Sequence, residues 1–372
     1  MLRRGHRADV VVGTATGAFL DHVPREARLV PLLGSVSEVL LRSKSLRMAA
    51  AVPPLVRYLK RNRPDVMLSS GTPANLAALV ARRVAGTSTA VAVSVNVPVS
   101  TATAERSRPL LGRLVRRWYP EADAVIANAA ALAEDVAKFA ELDRALVSVI
   151  PNPVDTEEIV RQARRRVSHP WVQEGPAEQQ PLILAVGKLK PQKDFATLVR
   201  AFAEARRQRP LRLLILGEGE ERSRLLRLAE SLGVAEDVAI PGFSDNPFAY
   251  MARAAMLVQT SRWEGFSNVV TEALACGCPV VVTDCPGGTR DILDGGRFGR
   301  LVDIGDASAI AEAILDTLAE APPRELLRRR AESFGIEEAV ERYLEVLGGC
   351  LEHRHETIAG AGTRRSPYSS TA

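Results

Sequence analysis

Met256-Leu-Val-Gln-Thr-Ser-Arg-Trp-Glu264-Gly-Phe-Ser-Asn268-Val-Val-Thr-Glu272-Ala-Leu-Ala-Cys-Gly-Cys-Pro-Val280-Val-Val-Thr283 holds two short apolar runs, a polar loop and a helical pattern in one stretch. Met256–Gln259 and Val280–Thr283 read as strands buried on both faces, and Asn268–Ala275 between them reads as a helix. Working back toward the N-terminus, the same alternation repeats. Strands are expected at Leu182–Val186, Leu211–Leu216 and Val238–Ile240, with helices at Phe195–Arg207, Glu221–Leu232 and Pro247–Arg253. Such β-α alternation predicts an α/β fold whose parallel sheet is covered on both faces. Ligands of these sheets bind at the C-terminal ends of the strands, so the loops after them are where chemistry is sought.

A second, less regular block precedes this one. Ala8–Val12, Asp65–Leu68, Ala90–Val95, Ala124–Ala127 and Leu146–Ile150 read as strands, with a helix over Asn75–Val84. Pro151-Asn152-Pro153 then breaks the pattern. The expected organisation is an N-terminal domain over 1–150, a linker over 151–180 and a C-terminal domain over 181–335. A helix over 336–351 follows, able to cross back to the first domain, and then a disordered polar tail over 352–372.

Composition sets limits. The chain is 46% hydrophobic and 25% charged, ordinary for a globular protein. No apolar run approaches the roughly 18 residues that a membrane-spanning helix needs. The charged opening Met1–His6 has no apolar segment behind it, unlike a secretory signal. Three of the four cysteines cluster at 276, 278 and 285. With no signal, this favours a reducing cytoplasm. Cys276-Gly277-Cys278 has no partner pair or nearby histidine, so it reads as small packing residues rather than a metal site. Residues 1–150 hold 21 Lys and Arg against 12 Asp and Glu, a net +9, which leaves −4 for the rest. That half suits an anionic partner such as a lipid headgroup or a polyphosphate-bearing acceptor. Arginine-rich coding bias would give the same count. The basic residues are scattered and no recognition motif accompanies them, so nucleic acid is not expected.

Four strand-to-helix loops carry the candidate chemistry. Gly187 allows close backbone approach, and Lys188 and Lys193 can converge on a diphosphate; taken alone, the loop is equally a solvated charged turn. Leu216-Gly217-Glu218-Gly219-Glu220-Glu221 is too acidic for a dinucleotide fingerprint and reads as a tight turn. In the third loop the amides of Phe266, Ser267 and Asn268 lie at or near a helix N-terminus, where unpaired N–H groups and the helix dipole favour an anion. Glu264 and Glu272 can accept hydrogen bonds from a polyhydroxylated ligand. An arbitrary glutamate pair has no such role, and spacing alone does not decide. The fourth loop, Asp284–Asp291, has glycines that permit close approach.

Together these loops resemble the retaining glycosyltransferases of family 4, with the GT-B fold of two Rossmann-like domains facing each other across a cleft. The family's E-x7-E motif matches Glu264 and Glu272, and its lysine loop matches Gly187, Lys188, Gln192, Lys193 and Asp194. Pro151-Asn152-Pro153-Val154-Asp155, Gly242-Phe243 and Gly287-Gly288-Thr289-Arg290-Asp291-Ile292-Leu293 match three further stretches. The resemblance implies that Lys188 and Lys193 bind the donor diphosphate, Glu264 the donor sugar and Glu272 the ribose. Gly265 to Asn268 would offer amides, and Phe243 would flank the nucleobase. No metal or other cofactor is implied. The expected partners are a nucleotide-diphosphate sugar, preferably UDP-hexose or UDP-N-acetylhexosamine, and a glycan or polyprenyl-diphosphate-linked acceptor. The setting implied is cell-surface polysaccharide assembly, at the cytoplasmic face of an anionic membrane.

Two departures from the pattern bear on the acceptor side. The family usually begins with a strand and a Gly-rich loop, whereas Leu2-Arg3-Arg4-Gly5-His6 matches the end of the helix that follows them. The first strand and loop, roughly 25–30 residues, are therefore expected to be missing. Relatives place Glu-His-Asn or Glu-Arg-Asn where this chain has Ser94-Val95-Asn96, leaving Asn96, with Gly71, as the acceptor-side candidates. Three alternatives stay open: a catalytically impaired nucleotide-sugar binding protein, a UDP-sugar 2-epimerase of the same fold, and a polysaccharide-binding scaffold.

Overall fold

A computed structural model describes residues 2–15, 20, 23–34, 44–104, 109–167, 169–173 and 180–362. The chain forms two compact units. The first comprises the described parts of Met1–Asn128, Leu132–Ile150 and the chain from Val340 on. The second comprises Ala129–Ala131 and Pro151–Ala339.

The first unit has a parallel pair, β1 (Asp9–Val12) and β2 (Arg28–Pro31), and a parallel four-stranded sheet. The latter is ordered β3 (Val66–Ser70), β4 (Ala90–Val95), β5 (Ala124–Ala127), β6 (Val147–Val149). Its helices are α1 (Lys44–Asn62), α2 (Thr72–Ala85), α3 (Val99–Ala104), α4 (Pro109–Trp118) and α5 (Ala130–Ala140). Neither β2 nor α1 is expected from the sequence. Pro53-Pro54 lies inside α1. Proline normally breaks a helix, but Leu55 and Leu59 pack against Ala81 and Ala85 of α2, and that burial holds the helix together. The Arg82–Asp123 ion pair, 2.8 Å long and almost wholly buried, joins the end of α2 to the start of β5. Asp123 also accepts from the Val91 N–H at 2.7 Å, so one carboxylate ties a helix to two strands.

The second unit carries α6 (Thr156–Ala163), α7 (Pro170–Gln173) and a six-stranded parallel sheet. Its strands are β7 (Leu182–Val186), β8 (Arg212–Leu216), β9 (Val238–Gly242), β10 (Met256–Gln259), β11 (Val280–Thr283) and β12 (Arg300–Val302). Helices α8 (Phe195–Gln208), α9 (Arg222–Ser231), α10 (Phe248–Met251), α11 (Asn268–Ala275), α12 (Thr289–Ile292), α13 (Ala307–Ala319) and α14 (Arg324–Glu332) follow in chain order, and α15 (Ile336–Gly362) ends the described chain. The sheet order is β12-β11-β10-β7-β8-β9. Successive side chains of a strand face opposite ways. Ile183, Ala185, Leu213 and Ile215 enter one core with α8 and α13. Leu182, Leu184, Leu214 and Leu216 enter the other with α11 and α14. Both faces being covered explains why these strands read as unbroken apolar runs.

Two expectations are corrected. Residues 151–180 do not stand apart as a linker. Val154 donates its N–H to Phe334 O at 2.8 Å, and Asp155 caps α6 by accepting from Glu158 N at 2.9 Å. Ile159 is buried in the second core. The helix has only Ile159, Val160 and Ala163 as apolar residues among charged neighbours, too weak a periodic signal to mark that face. The tail from Glu352 is not unstructured at its start, because α15 runs on to Gly362. Extending an existing helix needs no new nucleus, and this stretch contains no proline. Residues 363–372 lie outside the described residues. From Val340, α15 belongs to the first unit. Burial pushes the Tyr343 phenol up, and a hydrogen bond with Ser94 at the end of β4 opposes that.

Candidate active site

The strand order of the second unit reverses direction between β7 and β10. Each strand's connection leaves on opposite sides at that point, so their loops diverge and open a crevice at the carboxyl ends. The loop after β7 carries Gly187 to Asp194, and the loop after β10 carries Thr260 to Ser267. Sheet topology therefore brings together residues 71 apart in sequence.

Lys193 Nζ donates to Glu264 Oε1 at 2.6 Å, with the two side chains 20% and 10% exposed. Ser261 Oγ, fully buried, donates to the same oxygen at 2.6 Å. Both contacts fall on Oε1. The rest of the crossing is fixed by main-chain contacts. Thr260 Oγ1 donates to the carbonyls of Lys193 and Asp194 at 2.9 and 3.0 Å. Gln192 Nε2 donates to Trp263 O at 2.8 Å, and Arg262 N donates to Gln192 O at 2.8 Å. The aliphatic stem of Lys193 crosses Gly187, where an added Cβ would sit 3.4 Å from Lys193 Cε. The structure thus brings Gly187, Lys193 and Glu264 together. Lys188 is exposed, and no contact joins it to this cluster among the described residues.

Neighbouring loops stack on these two. A Cβ at Gly217 would lie 1.9 Å from Gly187 O, so the Gly217–Glu221 turn can pack on the lysine loop only with glycine there. This matches its reading as a tight turn. The fourth loop clamps the third. Glu264 N donates to Pro286 O at 2.9 Å, Gly288 N donates to Gly265 O at 2.7 Å, and a Cβ at Gly287 would fall 2.5 Å from Glu264 O.

The remaining candidates divide. Ser267 is the N-cap of α11, but its hydroxyl bonds Gln259 Oε1 and makes no cap hydrogen bond. The first-turn amides of α11 are therefore not covered by that side chain. Phe266 is buried, its ring meeting Phe334 edge-on at 5.5 Å, so its ring packs and only its backbone can serve a ligand. Asn268 is exposed and accepts from Asn152 Nδ2 at 2.9 Å. Glu272, half-buried in α11, is pushed from 4.5 up to about 7 by burial. Among the described residues no cation pairs with it. Phe243 projects from the end of β9, 76% exposed. Gly71 and Asn96 belong to the first unit, at adjoining strand ends. Gly71 N donates to Ser94 O at 3.3 Å, while Asn96 accepts from Ser94 Oγ at 3.0 Å and donates to Ser70 Oγ at 2.6 Å. Val95 is buried.

Sequence reasoning assigned nothing to Thr260, Ser261 and Thr283. The available signal was a run of hydroxyls where an apolar strand ends. Thr283 Oγ1 completes the support by donating to Ser261 O at 2.6 Å. The cysteines are buried and unpaired, and burial pushes the Cys276 thiol up to about 12. Among the described residues no cluster of three His, Cys, Asp or Glu side chains could hold a metal ion.

Comparison with known proteins agrees with this layout. Residues 171–334 match the profile described as glycosyl transferases group 1, and residues 1–158 match that described as glycosyltransferase family 4. The chain belongs to this family of GT-B proteins. One relative is an N-acetylgalactosamine-N,N'-diacetylbacillosaminyl-diphospho-undecaprenol 4-alpha-N-acetylgalactosaminyltransferase of Campylobacter jejuni. It is 32% identical over 220 residues, 59% of this chain and 57% of that protein. Another is a lipopolysaccharide core biosynthesis glycosyltransferase of Rhizobium meliloti, 31% identical over 235 residues, 62% of this chain and 65% of that protein. The matched region thus spans less than two thirds of either relative. In fold, the chain is similar to Anabaena HepE in complex with UDP and glucose, with TM-score 0.73, 21% identity and coverage of 92% of this chain and 91% of that one. It is also similar to a sucrose-phosphate synthase of Thermosynechococcus elongatus, with TM-score 0.75, 21% identity, and 96% and 91% coverage.

Proposed function

We propose that this protein is a retaining glycosyltransferase that moves a sugar from a nucleotide-diphosphate donor to a glycan or polyprenyl-diphosphate-linked acceptor. The donor is UDP-hexose or UDP-N-acetylhexosamine, and the work is cell-surface polysaccharide assembly at the cytoplasmic face of the membrane. The observation that carries the reading is the Lys193–Glu264 pair at the strand-order reversal, beside the N-terminus of α11. As the glycosidic bond breaks, negative charge grows on the leaving diphosphate. Lys193, Lys188 and the α11 amides supply the positive charge that stabilises it, a part that needs no bound metal. Glu264 Oε2 accepts from the sugar hydroxyls, Glu272 from the ribose, and Phe243 flanks the base. The acceptor attacks the face the diphosphate leaves, and a diphosphate oxygen takes its proton. Gly71 and Asn96 serve the acceptor. The lipid-linked substrate and polysaccharide role named in the two curated relatives support this assignment.

The test is calorimetry with UDP, UDP-glucose and UDP-N-acetylglucosamine, followed by transfer to an undecaprenyl-diphosphate-linked glycan. Lys193→Met is expected to weaken donor binding and to slow transfer on the order of 10²–10³-fold. Because Lys193→Met leaves Glu264 unpaired, Lys193→Met/Glu264→Gln is run beside it to separate folding from binding. Unchanged donor affinity in both folded variants refutes the site. A product of inverted anomeric configuration refutes retention.

A further inference from the structure

Strand β10 ends on a polar residue that packing alone does not explain. Gln259 lies on the same strand face as Leu257, which enters the core shared with α11. It is only 4% exposed, and its Nε2 is buried with no hydrogen-bond partner among the described residues. Its Oε1 accepts from the Ser267 hydroxyl. Ser267 is the N-cap of α11 and has the extended backbone of a capping residue, φ −84° and ψ 90°, yet its side chain makes no cap hydrogen bond. A capping serine normally accepts from the second or third N–H of its helix. The third, Val270 N, donates instead to Ser267 O at 3.1 Å, and the second, Val269 N, has no partner among the described residues. Asn268 does not serve it either, because its Oδ1 accepts from Asn152 Nδ2 at 2.9 Å.

Two costs therefore meet at one place. A buried amide nitrogen is left unsatisfied, and a helix with serine at its N-cap goes uncapped. An apolar side chain at 259 would remove the first and, by releasing the hydroxyl, the second. The geometry points to Gln259 as a positioning residue of the donor site. It holds the Ser267 hydroxyl away from the first turn of α11, so that the Val269 N–H stays open for a phosphate oxygen of the donor. Serine hydroxyl and phosphate are rival acceptors for the same N–H, and Gln259 occupies one of the rivals. The inference deepens the proposed function and rests on its reading of α11 as the diphosphate end of the site.

Gln259→Met keeps the length and unbranched shape of the side chain in an apolar surrounding, while removing both the acceptor and the unsatisfied nitrogen. The full chain is titrated with UDP and with UDP-glucose by calorimetry, beside urea unfolding. Affinity for both should fall about five-fold, equivalent to a cap of about 1 kcal/mol, while the urea midpoint rises or holds. Gln259→Leu should do the same with a different shape. Gln259→Met/Ser267→Ala keeps the backbone amides but has no capping oxygen, and should bind UDP about three-fold or more tightly than Gln259→Met. A merely structural glutamine would lower midpoint and affinity together, and removing the serine hydroxyl would recover nothing. That outcome, or unchanged affinity in both single variants, overturns the inference. UDP binding that Lys193→Met weakens and neither Gln259 variant weakens overturns it alone and leaves the proposed function standing. A wild-type chain that binds neither UDP nor UDP-glucose overturns both.

Discussion

Glu272 offers a titration with two independent consequences. Burial raises its carboxyl from 4.5 to about 7. Between those values the folded protein keeps a proton that the unfolded chain has lost. Its contribution to stability is therefore complete below pH 4.5 and is lost as pH rises through 7, by at most about 3 kcal/mol. Glu272→Gln cannot ionise, so it should match the wild type at pH 4 and exceed it by up to that amount at pH 8. Urea unfolding in a Trp118→Phe background isolates the effect, because Trp171 and Trp263 then report the second unit. Donor binding gives the second consequence. If ribose hydroxyls donate to the carboxylate, binding needs the ionised form, which is about 3% of the total at pH 5.5 and about 97% at pH 8.5. UDP-glucose affinity should then rise about 30-fold over that range, with a proton released on binding below pH 7. UDP-glucose is the right probe, because its diphosphate does not titrate there. His169, the histidine of the second unit, is held below 6.5 by burial and by Arg212, so it interferes only at the acid end. Stability curves that coincide at pH 8 would refute the burial argument. A pH-independent affinity, or the same pH dependence in Glu272→Gln, would refute the contact with ribose.

Gly217→Ala should destabilise the second unit by about 3 kcal/mol, read as a lower urea midpoint, since its Cβ would lie 1.9 Å from Gly187 O. Gly349→Ala is the contrast: nothing lies within 4 Å, so helix α15 should gain about 0.5–1 kcal/mol. In the first unit, Asp123→Ala leaves the nearly buried Arg82 without its carboxylate and should cost about 3–5 kcal/mol. The double variant Arg82→Met/Asp123→Leu should cost less than that single change, and Trp118 fluorescence during unfolding in a Trp171→Phe/Trp263→Phe background measures both.

Where the sequence is legible, the reason is burial on both sides of a sheet. β7, β10 and β11 follow the apolar runs residue for residue, because every position but the half-buried Val186 is buried and none carries a polar residue before its end. β2 escaped notice for the opposite reason. Arg28-Leu-Val-Pro31 is mostly exposed, so no apolar period marks it. β12 is short and only half-buried, and Arg300 opens it. α1 was hidden by its two prolines, whose cost is met by contacts with α2 that no local pattern shows.

The site divides along the same line, between what a spacing can carry and what only the folded topology brings together. The interval between Glu264 and Glu272 marks both as candidates, but nothing in that interval shows their different surroundings. Glu264 is paired with Lys193 and Ser261, and Glu272 has no ionic partner among the described residues and is raised to about 7 by burial. That difference follows from strand order. Because β10 lies beside β7 in the sheet, Lys193 crosses to Glu264, whereas Glu272 is carried into α11, where no cation pairs with it among the described residues. The supporting hydroxyls belong to the same geometry. Thr260 reaches the lysine's main chain and Ser261 the glutamate's carboxylate only because the two strand ends are neighbours. With Oε1 of Glu264 held from two sides, the carboxylate is fixed in place by the fold itself. If Glu264 binds the donor sugar as proposed, a carboxylate so fixed loses little freedom on binding, which favours discrimination by hydroxyl geometry rather than by net charge.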